Sequence, residues 1–408
     1  MKSNVLSNWH KCRLGDLCSL VCSGGTPKSN VSEYYDGGIP WLNTKEVNFN
    51  RIYSTERTIS ELGLNNSAAK WIYPNTVIVA MYGATAGKVA IAKCKLTTNQ
   101  ACCNLSLKPD VADYQFVYYT LLNRYEELSS LANGGAQQNL NAQIIKDFEI
   151  DLPTLQTQHA ISHLLGCLDS KIEQNAKINQ NLEQQAQAIF KSWFVDFEPF
   201  QDGRFVDSEL GPIPEGWRVV PLDEIADFLN GLPMQKYRPA TDGIGLPVLK
   251  IKELREKSCS SDSERCSEDI KQEYIVENGD VIFSWSGSLL IDIWTGGRCG
   301  LNQHLFKVTS TQYEKWFYYL WLCHHLENFI AIAAGKATTM GHIQRGHIHA
   351  ALTLVPSKQE YEALSAILSP IIDKMIHSRL ESTRLAALRD TLLPKLMSGE
   401  IDVSEVAV

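Results

Sequence analysis

Three groups of residues have types and spacings that invite a chemical reading. Gly83–Val89, GATAGKV, has the glycines and lysine of a phosphate-cradling loop. Such a loop needs four residues between its glycines and a Ser or Thr after the lysine to hold magnesium. Here Gly83 and Gly87 stand too close together and Val89 follows Lys88, so a turn between two strands is the better reading. Pro109–Asp110 together with Asp169, Ser170 and Lys171 has the residue types of a metal-dependent nuclease. Its second part, however, falls on a helix with an apolar stripe, where an acid ordinarily belongs to the solvated face. His342, His347 and His349 lie close together without neighbouring acids, which makes them weak metal ligands. The chain contains no G-x-G-x-x-G loop and no N-P-P-Y-type segment to hold a nucleotide cofactor or a flipped base. No catalytic residue and no metal site is therefore expected.

The elements that would position any site occur twice. WHKCRLGDLCSLVCSGGTP from Trp9 is echoed by WRVVPLDEIADFLNGLP from Trp217. Gly38–Val47 matches Gly245–Leu254, Tyr73–Gly83 matches Glu277–Gly287, and Thr98–Leu107 matches Leu301–Ser310. Phe148–Pro153 falls opposite Ala351–Pro356. This period far exceeds the roughly 20–50 residues of a solenoid unit, so it marks a duplicated domain with two similar sites. Short β-branched and aromatic runs such as NTVIVAMYG, KVAIAK, GDVIFSWSG and HLFKVTS, broken by Gly, Pro and Asn, predict strands. One helix is expected in each copy, around Tyr114–Leu131 and Tyr313–Ala334.

After Pro153 and Pro356 the period changes. Ile161, Leu165, Leu168, Ile172, Asn175, Asn179, Leu182, Ala186, Ile189 and Trp193 step by four and three, a heptad seam of coiled-coil length. Leu364, Leu368, Ile371, Met375, Ser378, Ser382, Leu385, Arg389, Leu392 and Leu396 repeat it, polar interruption included. At about 1.5 Å per residue each helix would span about 60 Å. An antiparallel pair would set Asn175 opposite Ser382, Asn179 opposite Ser378, Leu182 opposite Met375 and Ile172 opposite Leu385. The alternative is two independent helices, each packed on its own domain. The expected organisation is a first domain at 1–153, a central helix at 154–198, an exposed linker at 199–216, a second domain at 217–356, a C-terminal helix at 357–400 and a tail at 401–408.

Charge and cysteines narrow the class. The formal net charge is −8, with 14 basic and 12 acidic side chains in residues 1–150 and 15 and 20 in residues 201–356. A lone protein that neutralises many phosphates is normally basic. Any DNA contact must then come from local patches or be completed by a partner. Eleven irregularly spaced cysteines without a C-x-x-C pair point to reduced thiols in a cytoplasmic protein. No apolar run approaches 18 residues and the start has no apolar h-region, so neither a membrane span nor a secretory signal is expected.

Three segments resemble the specificity subunits of type I restriction–modification systems. They are FKSWFVDFEPF (Phe190–Phe200), SELGPIPEGWRVVPLDEIA (Ser208–Ala226) and LRDTLLPKLMSGEIDV (Leu388–Val403). The resemblance extends along the whole chain in order, lengths and duplication. It implies an α+β protein with two similar mixed α/β target-recognition domains in inverted orientation, joined by two long antiparallel coiled-coil helices. It also implies that each domain reads one half of a bipartite, asymmetric DNA site while the helices set the spacer. Two half-sites about 34 Å apart would lie roughly one DNA turn from each other. The implied partners are double-stranded DNA, two methyltransferase (modification) subunits and two motor-nuclease (restriction) subunits. Those partners, not this chain, would use S-adenosylmethionine, ATP and magnesium for adenine methylation and DNA cleavage. A diverged stand-alone methyltransferase or nuclease, or a scaffold that never touches DNA, remain the rival readings.

Base readers should be amides, hydroxyls and basic side chains on loops. In the first domain these are Lys28, Ser29, Tyr34, Lys45, Tyr82, Thr85, Lys88, Gln100, Gln137, Gln138 and Asn139. In the second they are Gln235, Lys236, Arg238, Lys250, Lys252, Ser286, Gln303, His304, Lys336, Thr338, Thr339 and Arg345. Trp285 and Trp294 read as core or hairpin residues. Phe190, Trp193, Phe194, Phe197, Leu392 and Leu396, at the helix ends, offer more apolar bulk than two helices need and are expected to dock a partner, the alternative being burial against the chain's own recognition domain.

Overall fold

The computed structural model describes residues 9–132, 139–239, 244–335, 341–404 and 406. Two compact units emerge, and they do not follow chain order. The first joins residues 1–170 to 385–408, and the second is the continuous stretch 171–384.

The first unit is built on a five-stranded sheet in the order Cys18–Ser23, Cys102–Leu107, Val77–Ala80, Val89–Ala92, Asn50–Ile52. A four-stranded sheet carries Arg57–Ile59, Tyr35–Leu42, Leu96–Thr98 and Trp71–Ile72 in that order. Val77–Ala80 and Val89–Ala92 are buried at every position, which is why the sequence there is continuously apolar instead of alternating. The helix expected over 114–131 is two helices, Tyr114–Asn123 and Tyr125–Ser130, because Arg124 leaves helical geometry between them. Asp113 caps the first by accepting the Phe116 amide at 2.8 Å.

The second unit repeats the plan. One sheet has the order Asp227–Asn230, Leu305–Thr309, Val281–Ser284, Leu290–Ile293. The other has Arg265–Cys266, Leu246–Leu249, Cys299–Leu301 and Ile275–Val276. Its helix runs Lys315–Ala334. The stretch 199–216, expected as an exposed linker, is largely exposed but is not irregular: it carries a hairpin, Phe205–Ser208 with Gly211–Pro214, and buries Ile213 in the core.

The two long helices are Leu155–Phe194 and Lys358–Met397, forty residues each. None of the twenty seam positions named from the sequence is exposed. Within the second unit the helices run antiparallel: Lys171 pairs with Glu381 at 3.5 Å, and Asn175 Nδ2 donates to the Ser378 carbonyl and, at 2.8 Å, to Glu381 Oε2. The bonded partners of Asn175 are thus Ser378 and Glu381 instead of Ser382, because the longer carboxylate reaches the amide from the seam's edge. Leu182 and Met375 share the second unit's core, as the heptads require.

Each unit grips a helix through a buried charge. In the first, Asp169 accepts from Arg389 at 2.9 Å and from the Tyr119 hydroxyl at 2.6 Å, and pairs with Arg51 at 3.3 Å. The Asp169 side chain is only 6% exposed, so it is no solvated face. Burial and the Asp169 charge push the Tyr119 hydroxyl pKa far up, which keeps it a donor. In the second unit the signs are exchanged: Arg379 on the C-terminal helix bonds Asp292 Oδ1 at 2.6 Å and the Ile293 carbonyl at 3.2 Å.

Removing one partner of such a cluster leaves the others buried and uncompensated. Asp169→Ala is expected to cost roughly 3–5 kcal/mol by urea denaturation. A loss under 1 kcal/mol would show the cluster to be well hydrated. His325 gives a pH signature: burial, then the neighbouring His324 charge, push its pKa down from 6.5 to about 4. The folded state holds it neutral while the unfolded chain protonates first. Its contribution is present above pH 6.5 and falls away between pH 6.5 and 4, on the order of 3 kcal/mol. His325→Gln should flatten that slope in denaturation series across the window.

Candidate nucleic-acid interface

The two copies build the same loop framework, bond for bond. In the first unit the Asn99 amide bonds the Leu42 carbonyl at 2.9 Å, and in the second the Asn302 amide bonds that of Leu249 at 3.3 Å. The side chain of Asn99 then accepts the Ala101 amide at 3.1 Å, as that of Asn302 accepts the His304 amide at 3.2 Å. Each turn closes through Cys102 N to Asn99 O at 3.2 Å, or Leu305 N to Asn302 O at 3.0 Å. These are Asx-supported β-turns, the local structure that an Asn at the first position favours.

Neighbouring loops are tied to the turns in both copies. Gly25 N reaches Thr98 O, and Leu232 N reaches Leu301 O, both at 2.9 Å. Met81 N bonds Ala101 O while Leu140 N bonds Met81 O; correspondingly Trp285 N bonds His304 O while Ile343 N bonds Trp285 O. Gly24 and Gly231 are required by contact: a Cβ there would fall 2.0 Å from Thr98 O and 2.3 Å from Asn302 O.

On this framework the first unit brings Gln100, Lys45, Tyr82 and Asn139 onto connected loops. Gln100 is exposed and its Oε1 accepts from the Thr26 hydroxyl. Lys45 is exposed and pairs with Glu56. Tyr82 and Asn139 are exposed, as are Lys28 and Ser29. Tyr34 is half-buried at the end of a short 3-10 turn, and Ser60 N bonds its carbonyl at 2.9 Å. Thr85 bonds back to the Tyr82 carbonyl at 3.3 Å, and Lys88 donates to Asn48 Oδ1 at 2.7 Å and lies over the Phe49 ring. That engagement makes both residues part of the turn's own structure.

In the second unit Gln303, His304 and Ser286 meet: Ser286 Oγ is 3.0 Å from His304 Nδ1, and Gln303 Nε2 is 3.3 Å from His304 Nε2. Gln235, Lys236, Arg238 and Lys252 are exposed. Lys250 pairs with Glu264 at 2.5 Å. Arg345 donates to the Phe228 carbonyl at 3.2 Å and stacks over Phe306, so it braces its own domain. Gln137, Gln138, Lys336, Thr338 and Thr339 lie outside the described residues. Trp294 is core, while Trp285 is half-buried and donates to Asn230 Oδ1 at 2.9 Å.

The docking residues need correction. Phe190 and Phe194, 5% and 3% exposed, pack against Trp321, and Phe194 also meets Trp217. Trp193 and Phe197 are half-buried against the same core, through Phe200, Trp217 and Phe205. Leu396, 1% exposed, lies in the first unit's core with Leu392 packed on it. The apolar bulk is spent within each unit, because the aromatic-rich helix 315–334 and the termini supply its partners.

From the sequence, Thr26, Asn99 and Asn302 stand only at the ends of candidate loop segments, and Asp169 only in a nuclease-like group read as a solvated face. The repeated Asn-Gln pair was the usable signal for the turns, while Arg51 and Arg389 carried none. Among the described residues no group of three or more His, Cys, Asp or Glu is arranged to hold a metal. Nor is any described helix long and apolar enough to cross a membrane.

The duplicated framework is also what relates this chain to known proteins. The pattern described as "Type I restriction modification DNA specificity domain" matches residues 6–184 and 214–385. The chain belongs to that family. It is 28% identical over 415 residues to the type I restriction enzyme MjaIX specificity subunit of Methanocaldococcus jannaschii, covering 98% of this chain and 95% of that one. The HindI specificity subunit of Haemophilus influenzae is 21% identical, over 70% of this chain and 77% of its own length. Among solved structures, a type I restriction–modification S subunit from M. genitalium aligns over 95% of this chain and 96% of its own with a TM-score of 0.57 at 19% identity, a likeness of fold.

Gly231→Ala is expected to push the reading loop off the Asn302 turn and to destabilise the second unit by roughly 1–3 kcal/mol. Thermal or urea unfolding of the variant measures this, and an unchanged midpoint would show that the loop yields freely.

Proposed function

We propose that this chain is the non-catalytic subunit that confers DNA sequence specificity on a type I restriction–modification assembly. Each unit reads one half of a bipartite site. The observation that carries this reading is the loop framework built twice from the same main-chain bonds and furnished with different side chains at equivalent places: Tyr82 and Ala101 in one copy, Ser286 and His304 in the other. Main-chain identity supports a common mode of approach to the duplex, and side-chain difference supports unlike half-sites.

The net charge of −8 bears on how DNA is held. Several candidate cations are already paired, Lys45 with Glu56 and Lys250 with Glu264. Partner subunits, two for methylation and two for translocation and cleavage, complete the phosphate clamp and bring S-adenosylmethionine, ATP and magnesium. The two long helices set the spacing between the halves. All eleven cysteines are free and six are buried, four in the first unit and two in the second, which accords with a cytoplasmic setting.

Methylome sequencing of a host carrying this chain with its methyltransferase subunit should reveal one bipartite motif with two different halves. Sequence-independent or absent binding by the reconstituted pair in a competition gel shift would favour a pure scaffold. Methyl transfer by the purified chain alone, from labelled S-adenosylmethionine, would overturn the non-catalytic assignment.

A further inference from the structure

Gln100 and Gln303 hold the same position in the two copies: each follows the Asn that supports the turn, and each turn closes by the same i to i+3 bond. Lys45 and Lys252 also recur in kind and in place, but a lysine only donates, so the glutamines are the recurring candidates able both to donate to and to accept from a base. Tyr82 corresponds to Ser286, and Asn43 to Lys250, so divergence has reached neighbouring positions but not this one.

The two amides are also held. The Thr26 hydroxyl donates to Gln100 Oε1, which ties that amide to its own domain. Gln303 Nε2 donates to His304 Nε2, and His304 Nδ1 is within 3.0 Å of Ser286 Oγ. The neutral imidazole with its proton on Nδ1 makes both contacts at once. Each amide keeps a free donor hydrogen, and its oxygen keeps a free lone pair. A glutamine in that state matches adenine, whose N6 amino group donates and whose N7 accepts in the major groove.

Resting on the specificity reading above, we infer that Gln100 and Gln303 are paired base readers. Each recognises one adenine, at the equivalent position of its own half-site. Thr26 and His304 are positioning residues that orient the two amides. The two halves of the target therefore share one A·T pair at matching positions, while the bases around it differ.

The test uses the full chain with its methyltransferase subunit, carrying Gln100→Ala, Gln303→Ala or neither, with methylome mapping and competition binding against single-base variants of the mapped site. Gln100→Ala should relax one A·T position in one half by about 5- to 150-fold and leave the other half intact. Gln303→Ala should do the same in the opposite half, and Thr26→Val should partly reproduce Gln100→Ala. A wild-type pair without any bipartite motif sinks the specificity reading itself. A normal wild-type motif that neither variant alters overturns only the present inference, as does a uniform loss of affinity on every sequence. Circular dichroism of each variant separates misfolding from lost recognition, and a folded Gln100→Asn or Gln303→Asn with the same single-position effect covers a failed alanine variant.

Discussion

A forty-residue helix with a single apolar stripe has to bury that stripe against something, and this requirement governs the molecule. The chain meets it by having two such helices run antiparallel and by dividing each between the units. Leu155–Ser170 belongs to the first unit and Lys171–Phe194 to the second. Ile161 and Leu165 lie in one core and Ala186, Phe190 and Phe194 in the other. The seam is therefore continuous with both hydrophobic cores, which is why the aromatic ends that resemble a docking surface in the sequence are already occupied.

Ionic anchors add direction to this apolar attachment. Nonpolar packing alone tolerates sliding by a heptad, whereas a buried charge has few acceptable partners. Asp169 on the central helix is the anchor in the first unit and Arg379 on the C-terminal helix the anchor in the second, so each junction has a distinct chemical identity despite the shared fold. Asn175 with Glu381 adds a polar mark inside the seam. Together these contacts set a register that leucines by themselves would leave degenerate.

Much of this was legible in the sequence because it rests on periodicity and repetition. The heptads gave both helices, to within one residue at their starts and three or four at their ends, and the echoed segments gave the duplication and the strands. The missed features depend on long-range geometry. Nothing in the local sequence of Arg51 signals that it meets Asp169, and the break at Arg124 follows from a local departure that helical propensity does not reveal. The partner of Asn175 depended on a side-chain reach of a few ångströms, beyond what heptad positions encode. Loop residues were the least legible: Lys88, Lys250 and Arg345 share the composition of exposed readers yet are engaged within their own domains. The Asn-Gln turns stand between these extremes, visible as an echo but interpretable only through their bonds.

The division of the chain also has a temporal side. The second unit is one uninterrupted stretch, whereas the first needs Leu393, Leu396 and Val403 to close its core and Arg389 to complete the Asp169 cluster. Those residues follow the whole second unit in chain order. The domain whose synthesis starts first is thus the one that closes later, keeping an open apolar face until residues 385–408 have followed the second unit. A chain interrupted between the two would carry a complete second domain and an unsealed first one, so the first domain's integrity is certified by residues on the far side of its neighbour.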